Sequence, residues 1–392
     1  MKRKKVIKRV LKVLGVVISI FLLVALCVYF FVLSYPNLTS NPKVDKWYRV
    51  ESEKMISSEG GEYHALFKKG SENKVMIYFA GGGVSVNEQT ARNDTYNTKL
   101  VSLDMLTNVT MNMGGLATTS DVNPFKDWTV ILFPYATGDF HAGTGEFEYI
   151  DKDGKEKVLH HNGYVNFTEA MTNIMKKTGI ESADTVLVTG YSAGGWGASL
   201  LADDVFSNYF PKAQSKTVLV DSSVALFDEW KETAENVWES PKHIVNRIKT
   251  NNIMLDSLTA LHEKHGDDVT ILFDCSTRDG DLAKVQRYFK NKEMDENTGE
   301  MPVEESDADE FQKTLKEFIF KLKEQANAHV FIFDGYDWYG DPRNMTSHTI
   351  IATPYVFESL GEKGKSISEW LNDAIHETFN DYGLDLLDKD YN

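Results

Sequence analysis

Short apolar runs alternate with amphipathic stretches along most of the chain. Runs of five to eight almost continuously apolar residues are typical of strands buried on both faces of a parallel sheet. The runs are Lys74–Ala80, Trp128–Tyr135, Thr185–Gly190, Thr217–Asp221, Val269–Asp274 and His329–Asp334. The amphipathic stretches that predict helices are Phe167–Lys177, Trp196–Asn208, residues 242–264, Leu282–Lys290 and Glu305–Ala326. This alternation predicts one doubly wound α/β domain with a mostly parallel sheet. The polar stretches 138–162 and 291–308 are expected to be loops or insertions.

The first apolar stretch is longer than the others and follows a basic segment. Residues 13–33 (VLGVVISIFLLVALCVYFFVL) are 21 residues without a charge, long enough at about 1.5 Å per residue to cross a hydrocarbon layer of about 30 Å. Residues 1–12 hold seven Lys/Arg and no acid, and the next charge after Lys12 is Lys43. This asymmetry predicts a cytoplasmic N-terminus, a single-pass signal anchor in the cell membrane and an extracellular body. A cleaved signal peptide is disfavoured, because its apolar region is usually about 7–15 residues long and ends in small residues.

The charge of the chain is divided unequally between its two parts. The whole chain has 42 Lys/Arg and 58 Asp/Glu, a net charge of −16, so the residues after the basic segment carry −23. A body this acidic repels polyphosphate, and no nucleic-acid partner is expected. The length of 392 residues excludes a small stapled scaffold. Cys27 lies in the apolar segment and Cys275 in the body, so the body forms no intrachain disulfide.

Candidate chemistry begins where the third apolar run of the body meets the next amphipathic stretch. The sequence TVLVTGYSAGGWGASL places Ser192 between Gly190 and Gly194 in a G-x-S-x-G pattern. In a sharp strand-to-helix turn the flanking residues must be small, and the serine is held out over the carboxyl edge of the sheet. Because the strand–turn–helix setting is met, we interpret Ser192 as a nucleophile and not as part of an ordinary glycine-rich turn.

A serine hydroxyl needs a histidine base and usually a carboxylate that orients it. In folds with this turn the order along the chain is serine, acid, histidine. His348 lies in the polar segment DPRNMTSHT, just after the last predicted strand, where a base on a loop belongs. His329 opens a strand, and His376 lies in an amphipathic C-terminal stretch that favours a helix surface. His348 is therefore the predicted base.

Three carboxylates compete for the role of the acid in the segment VTILFDCSTRDGD. Asp274 still belongs to the predicted strand, whereas Asp279 and Asp281 lie in the loop beyond it and could reach over the sheet edge. We favour Asp279, and the sequence leaves Asp281 open as the alternative.

A glycine triplet follows the first predicted strand of the body. Lys74–Ala80 runs directly into Gly81, Gly82 and Gly83, and such a loop lets backbone amides approach a substrate oxygen. The amides of Gly82, Gly83 and Ala193 are the predicted oxyanion donors.

Several of these motifs together carry a family resemblance. The segments YFAGGG, FPYATGDFHAG, HHNGYVNF, GYSAGGWGASL, the acidic loop after VTILF, and MTSHTII resemble the pectin acetylesterase and Notum-type carboxylesterase family over most of residues 70–355. The resemblance implies an α/β-hydrolase fold, hydrolysis of an acetyl or fatty acyl ester, and no metal or cofactor. It also implies a triad of Ser192, Asp279 and His348.

The resemblance leaves the substrate open. Gly83, Val84 and Ser85 stand where the family often has an aromatic residue and cysteines, and Tyr191 stands where a cysteine precedes the nucleophile. On the segments that correspond to the pocket loops of the family, substrate contact is predicted for Asp139, His141 and His161. The negative charge of the body argues against an unmodified polygalacturonate ligand.

These inferences divide the chain into a cytoplasmic basic segment (1–12), a signal anchor (13–33), a stem with the start of the body (34–70) and a catalytic domain (71–392). The predicted function is removal of acyl groups, with acetyl favoured, from a carbohydrate or another acylated cell-surface substrate. A lipid or acyl-protein esterase, or an acyltransferase on the same triad, is the alternative. A non-catalytic binding domain is less favoured, and the sequence leaves the oligomeric state open.

Overall fold

The strands form one large sheet and one separate hairpin. The computed structural model describes residues 12–24, 35–100, 114–295, 298–335, 343–360 and 364–391. The main sheet has eight strands in the order β1-β2-β4-β3-β7-β8-β9-β10, and β5 pairs with β6. The strands are β1 Trp47–Val50, β2 Ala65–Lys68, β3 Lys74–Phe79, β4 Thr129–Phe133, β5 Glu146–Ile150, β6 Glu156–His160, β7 Thr185–Tyr191, β8 Ser215–Asp221, β9 Val269–Ser276 and β10 His329–Phe333.

The main sheet is mostly parallel. Strands β3, β4, β7, β8, β9 and β10 pair in parallel, and only the contacts of β2 with β1 and with β4 are antiparallel. Each of the six predicted apolar runs coincides with one of the parallel strands. The predicted α/β fold with a mostly parallel sheet is confirmed.

The predicted helices are present, and additional short helices occur. The helices of the body are α1 Glu88–Arg92, α2 Gly163–Thr178, α3 Ala193–Asp204, α4 Trp230–Glu232, α5 Lys242–Val245, α6 Ile253–His265, α7 Gly280–Asn291, α8 Glu305–Ala326 and α9 Ile367–Ile375. The predicted stretch 242–264 is divided between α5 and α6. Helix α6 begins after Asn252, which caps it and accepts the N–H of Leu255 at 3.0 Å.

Helices cover both faces of the sheet. Phe273 of β9 packs against Phe318 of α8, with ring centroids 4.9 Å apart. The next residue, Asp274, projects from the opposite face, as does its register partner Phe331 of β10. Phe331 packs against Trp370 of α9, with ring centroids 5.6 Å apart. Burial on both faces explains why the parallel strands are almost continuously apolar.

Two strand pairs carry no long apolar run and were not predicted. Strands β1 and β2 are only four residues each and lie within the segment 34–70. Strands β5 and β6 lie within residues 138–162, which were expected to be a loop or insertion, and most of their side chains are exposed or only partly buried. Their weak apolar pattern follows from this exposure.

The N-terminal segment is described only in part. Residues 12–24 are helical, and their apolar side chains are exposed, with Phe21 at 72%. Within the described ranges no helix has the length and apolar character needed to span a membrane. Residues 25–33 of the predicted span and residues 1–11 of the basic segment lie outside the described residues.

The carboxyl ends of the parallel strands gather the candidate groups at one edge of the sheet. Gly81 and its neighbours follow β3, Ser192 follows β7, Asp221 ends β8, Asp279 follows β9, and His348 follows β10.

Candidate active site

Ser192 lies in a strained turn between β7 and α3. Its φ of 51° and ψ of −131° belong to a region that residues with a side chain rarely adopt. A Cβ atom on Gly190 would lie 2.2 Å from the carbonyl oxygen of Gly194, and one on Gly194 would lie 2.0 Å from that of Phe79. The N–H of Ser192 donates to the carbonyl oxygen of Asp221 at 2.9 Å. The two glycines of the motif are therefore a steric requirement of this turn.

One cavity brings the predicted nucleophile, base and oxyanion donors together. Ser192 and His348 line a cavity of about 310 Å³, as do Gly82, Gly83 and Ala193. Most of the other lining residues are apolar: Val84, Phe140, Trp196, Leu282, Val285 and Phe289. These candidate groups therefore lie against a largely apolar wall.

His348 is hydrogen-bonded to a fully buried carboxylate. Its Nδ1 lies 2.7 Å from Oδ2 of Asp279. The other oxygen of Asp279, Oδ1, accepts the N–H groups of Asp281 at 3.1 Å and of Leu282 at 3.0 Å, because Asp279 is the N-cap of α7. The start of this helix thereby fixes the carboxylate that faces the imidazole.

Burial and nearby charge act in opposite directions on this pair. Burial raises the pKa of Asp279, and the facing His348 partly offsets that effect. For His348 burial lowers the pKa, but the carboxylates of Asp279, Asp281 and Asp221 outweigh burial and raise the pKa to about 9. The site therefore stabilises an imidazolium ion.

The other two candidate acids occupy different environments. Asp281 lines the cavity with a side chain that is 56% exposed, and it pairs with Nζ of Lys284 at 2.9 Å. Asp274 lies within β9 and is fully buried away from the cavity lining. Of the three carboxylates, Asp279 is the one that hydrogen-bonds His348. His329 begins β10, at the opposite end of the strand from the carboxyl edge, and stacks on Phe379 with ring centroids 4.7 Å apart.

The glycine loop after β3 is held in place by neighbouring backbone. Gly83 has a φ of 81°, and a Cβ atom there would lie 1.9 Å from the carbonyl oxygen of Thr95. The carbonyl oxygen of Gly82 accepts the N–H of Asn97 at 2.8 Å. Opposite this loop, Ala193 is the first residue of α3, and N–H groups at a helix start carry partial positive charge. The loop and the helix start both line the cavity, as an oxyanion site requires.

The structure gives Asp139 a structural role in place of the predicted substrate contact. Its side chain is fully buried and does not line the cavity. Oδ1 accepts from the Thr137 hydroxyl at 2.6 Å and from the N–H of His141 at 3.0 Å. Oδ2 accepts the N–H groups of Gly143 at 3.1 Å and of Gly163 at 2.8 Å. Four donors fill its acceptor sites, so Asp139 ties the loop after β4 to the start of α2.

His141 and His161 are likewise buried within this scaffold and do not line the cavity. Nε2 of His141 lies 3.0 Å from the carbonyl oxygen of Ala80, and Nδ1 of His161 lies 2.9 Å from that of Thr137. Burial lowers the pKa of His141 to about 4 and that of His161 to about 3. Both rings are therefore neutral supports of the loops.

Several residues of the site were not predicted from the sequence. Leu282, Val285 and Phe289 follow the spacing of one helical face, and α7 turns that face toward the cavity. The spacing predicts that this face of the helix is buried, but it does not predict which part of the protein the face contacts. Asp221, at the end of β8, acts on His348 through its charge without lining the cavity, and no motif distinguishes it from other strand-terminal carboxylates. Among the described residues, no three His, Cys, Asp or Glu side chains are grouped so that they could hold a metal ion.

Comparison with known proteins gives one family and one similar fold. The profile of the pectinacetylesterase family matches residues 57–264, just over half of the chain. Among solved structures, the Wnt deacylase Notum from Drosophila is similar, with a TM-score of 0.58 and 16% sequence identity over 86% of this chain and 94% of that chain. At this identity the similarity shows a shared fold. A search of curated proteins found no match.

Proposed function

The chain belongs to the pectinacetylesterase family, and on that premise we propose that it is a serine ester hydrolase that removes acyl groups through Ser192, His348 and Asp279. The observation that carries the proposal is the 2.7 Å contact between buried Asp279 and His348, which lines the same cavity as Ser192. A base oriented by a carboxylate is what a serine hydroxyl needs in order to attack an ester at neutral or mildly alkaline pH.

The reaction follows from these positions. His348 takes the proton of the Ser192 hydroxyl while Oγ attacks the ester carbonyl, and Asp279 stabilises the resulting imidazolium. Backbone amides of the glycine loop and of Ala193 hold the tetrahedral oxyanion. The intermediate collapses to an acyl-serine, and the alcohol leaves with the proton from His348. Water then repeats the attack on the acyl-serine, which releases the carboxylic acid and restores the enzyme.

Two substrate classes fit the site. An acetyl ester of a carbohydrate is the first candidate, and the acidic body favours a neutral carbohydrate over polygalacturonate. The apolar cavity supports a longer acyl group as the second candidate. Its volume of about 310 Å³ is more than the three heavy atoms of an acetyl group require.

An ester series tests the activity and separates the two classes. The full-length chain should release p-nitrophenol from p-nitrophenyl acetate or octanoate, and the preferred ester identifies the class. A preference for acetate together with release of acetate from acetylated polysaccharide supports the carbohydrate esterase. Release from none of these esters would contradict the proposal. Added glycerol tests for acyl transfer, because a transferase would form acylglycerol at the expense of free acid.

The proposed location is the cell membrane, with the body outside the cell. The uncharged segment 13–33, the preceding cations and the exposed apolar side chains of the helical residues 12–24 support this anchor. The protein should fractionate with membranes and resist extraction by alkaline carbonate, and protease added to protoplasts should digest the body. Recovery of the full chain in the washed soluble fraction would contradict the anchor.

A further inference from the structure

A buried carboxylate fixes the backbone on one side of the base. Oδ2 of Asp221 accepts the N–H of Ile350 at 2.7 Å and that of Ile351 at 2.9 Å. The neighbouring Ser222 hydroxyl oxygen accepts the N–H of Thr349 at 3.3 Å. Three successive amides directly after the base are therefore bound to the end of β8.

The other side of the base is bound to the end of β9. Ser276 donates its hydroxyl proton to the carbonyl oxygen of Ser347 at 2.6 Å. Thr346 donates its N–H to the carbonyl oxygen of Arg278 at 2.9 Å. The loop that carries His348 is thus held between two strands, and Asp221 supplies the carboxylate that accepts its backbone amides.

Asp221 faces a second buried carboxyl group. The register of β8 and β9 pairs Asp221 with Asp274, so both side chains project from the same face of the sheet. Both are fully buried. Oδ1 of Asp221 and both carboxyl oxygens of Asp274 have no other hydrogen-bond partner within the described residues. Two adjacent buried carboxyls cannot both ionise, so the pair holds one proton.

The hydrogen bonds decide which carboxyl holds the proton. Burial raises the pKa of Asp221, but the N–H bonds from Ile350 and Ile351 oppose this effect and favour the ionised form. Asp274 accepts no hydrogen bond among the described residues. Burial and the charge of Asp221 raise the pKa of Asp274 well above its usual value. A protonated Asp274 can then donate to the free oxygen of Asp221.

The remaining titratable groups around the pair leave this assignment unchanged. They are Tyr78 on β3, Tyr191 on β7, Cys275 on β9 and His348. Burial raises the pKa of Tyr78 and of Cys275 well above their usual values, so neither is charged at neutral pH. The charge of His348 lowers the pKa of Asp221 and so favours its ionised form.

We propose that Asp221 is a positioning residue for the base: its ionised carboxylate, with Asp274 as the protonated partner, fixes the loop that presents His348 to Ser192. This inference rests on the proposed esterase activity. Asp221 touches neither the cavity nor the reacting atoms; it acts through the backbone after His348 and through its charge.

Kinetics of two isosteric variants test the role of the carboxylate. In Asp221→Asn a neutral amide replaces the carboxylate, so the loop is held more weakly and the imidazolium loses a nearby charge. We expect kcat to fall at least about tenfold with KM within about twofold, and the acidic limb of the pH profile to move to lower pH. In Asp274→Asn the amide keeps a donor toward Asp221, so kcat should fall no more than about threefold and the limb should stay in place. Thr189→Val, a buried change on the same face of the sheet, controls for the effect of altering this region.

If Asp221 had only a structural role, Asp221→Asn would lower the melting temperature and leave the acidic limb of the pH profile in place. Wild-type kcat and an unmoved limb in folded Asp221→Asn would overturn the proposal. If Asp221→Asn fails to fold, Asp274→Leu is measured in its place. The leucine removes the proton donor and has a side-chain volume similar to that of aspartate. The proposal then predicts a loss of kcat at least about threefold larger than in Asp274→Asn, and equal losses would contradict it.

Infrared spectroscopy locates the proton without any assay of activity. The wild type at neutral pH should show a C=O stretch of a protonated carboxylic acid that is absent in Asp274→Asn and present in Thr189→Val. If no such band is lost, the assignment of the proton to Asp274 is wrong. If the wild type hydrolyses no ester but the band behaves as expected, the proposed function fails while the protonation of the pair stands.

Discussion

Nδ1 of His348 lies 2.7 Å from Oδ2 of Asp279, and the same carboxylate caps α7 through its other oxygen. One buried side chain therefore joins the orientation of the base to the start of a helix. A substitution at Asp279 should therefore affect both the orientation of His348 and the cap of α7.

Asp279→Asn should reduce kcat by about 10³–10⁴-fold. An asparagine has one acceptor oxygen, but Asp279 uses both of its oxygens, one for His348 and one for the amides of Asp281 and Leu282. The variant must therefore give up either the histidine or the cap. Asp281→Asn is the matched control and should lose less than about tenfold, because Asp281 is half exposed and pairs with Lys284. Similar mild losses in both variants would place the acid elsewhere.

The pH dependence of kcat/KM should follow the titration of His348. The neutral imidazole is the base, and surrounding carboxylates raise the pKa of this group to about 9. Activity should therefore rise about tenfold per pH unit on the acidic side and level off near pH 9. Asp281→Asn removes one of these carboxylates and should shift the limb to lower pH. A limb at or below about 6.5, the value of an unperturbed histidine, would contradict this account of the site.

Gly83→Ala should lower both stability and kcat. Its φ of 81° is unfavourable for alanine, and the new Cβ atom would lie 1.9 Å from the carbonyl oxygen of Thr95. Gly154→Ala is the matched control, since Gly154 has a φ of 77° and open space around the same position. Both variants should lose about 1–2 kcal/mol from backbone strain. Gly83→Ala should lose more than this in the free energy of unfolding, measured with urea, and should also lose activity. If the two variants lose the same free energy of unfolding, the loop tolerates the side chain.

Val84 tests whether the apolar wall holds the acyl group. Val84 lines the cavity and also a neighbouring apolar cavity of about 200 Å³, which shares Val285 and Phe289 with it. Val84→Phe should lower kcat/KM for p-nitrophenyl octanoate at least about tenfold and for the acetate less than about threefold. Equal losses with the two esters would show that the acyl chain does not contact this wall.

The parallel strands could be predicted from the sequence because burial on both faces leaves a continuous apolar run. The position of Ser192 could be predicted because the sterics of its turn restrict the flanking residues. Strands β5 and β6 were not predicted, since their side chains are largely exposed. Such strands are recognised only from their pairing in the three-dimensional structure.

The choice between Asp279 and Asp281 was weak in the sequence because both residues follow β9 within a few positions. The start of α7 separates them: the N-cap is buried under the loop of His348, and the residue two positions later turns outward. Asp139, predicted as a substrate contact, is a buried acceptor of four hydrogen bonds. Sequence patterns show that a loop is polar, but they do not show whether its polar groups face a cavity or the backbone.

The most direct test of the central claim is the turnover of p-nitrophenyl esters by Ser192→Ala beside Ser199→Ala, a buried serine of the same helix that bonds only the backbone in the contacts described. If Ser192 is the nucleophile, Ser192→Ala should lose at least about 10³-fold in kcat, while Ser199→Ala retains activity within about threefold. Wild-type protein treated with a fluorophosphonate should gain a single adduct on the peptide that contains Ser192. Equal ester hydrolysis by the wild type and Ser192→Ala, or an adduct on another residue, would contradict the assignment of this chain as a Ser192 esterase.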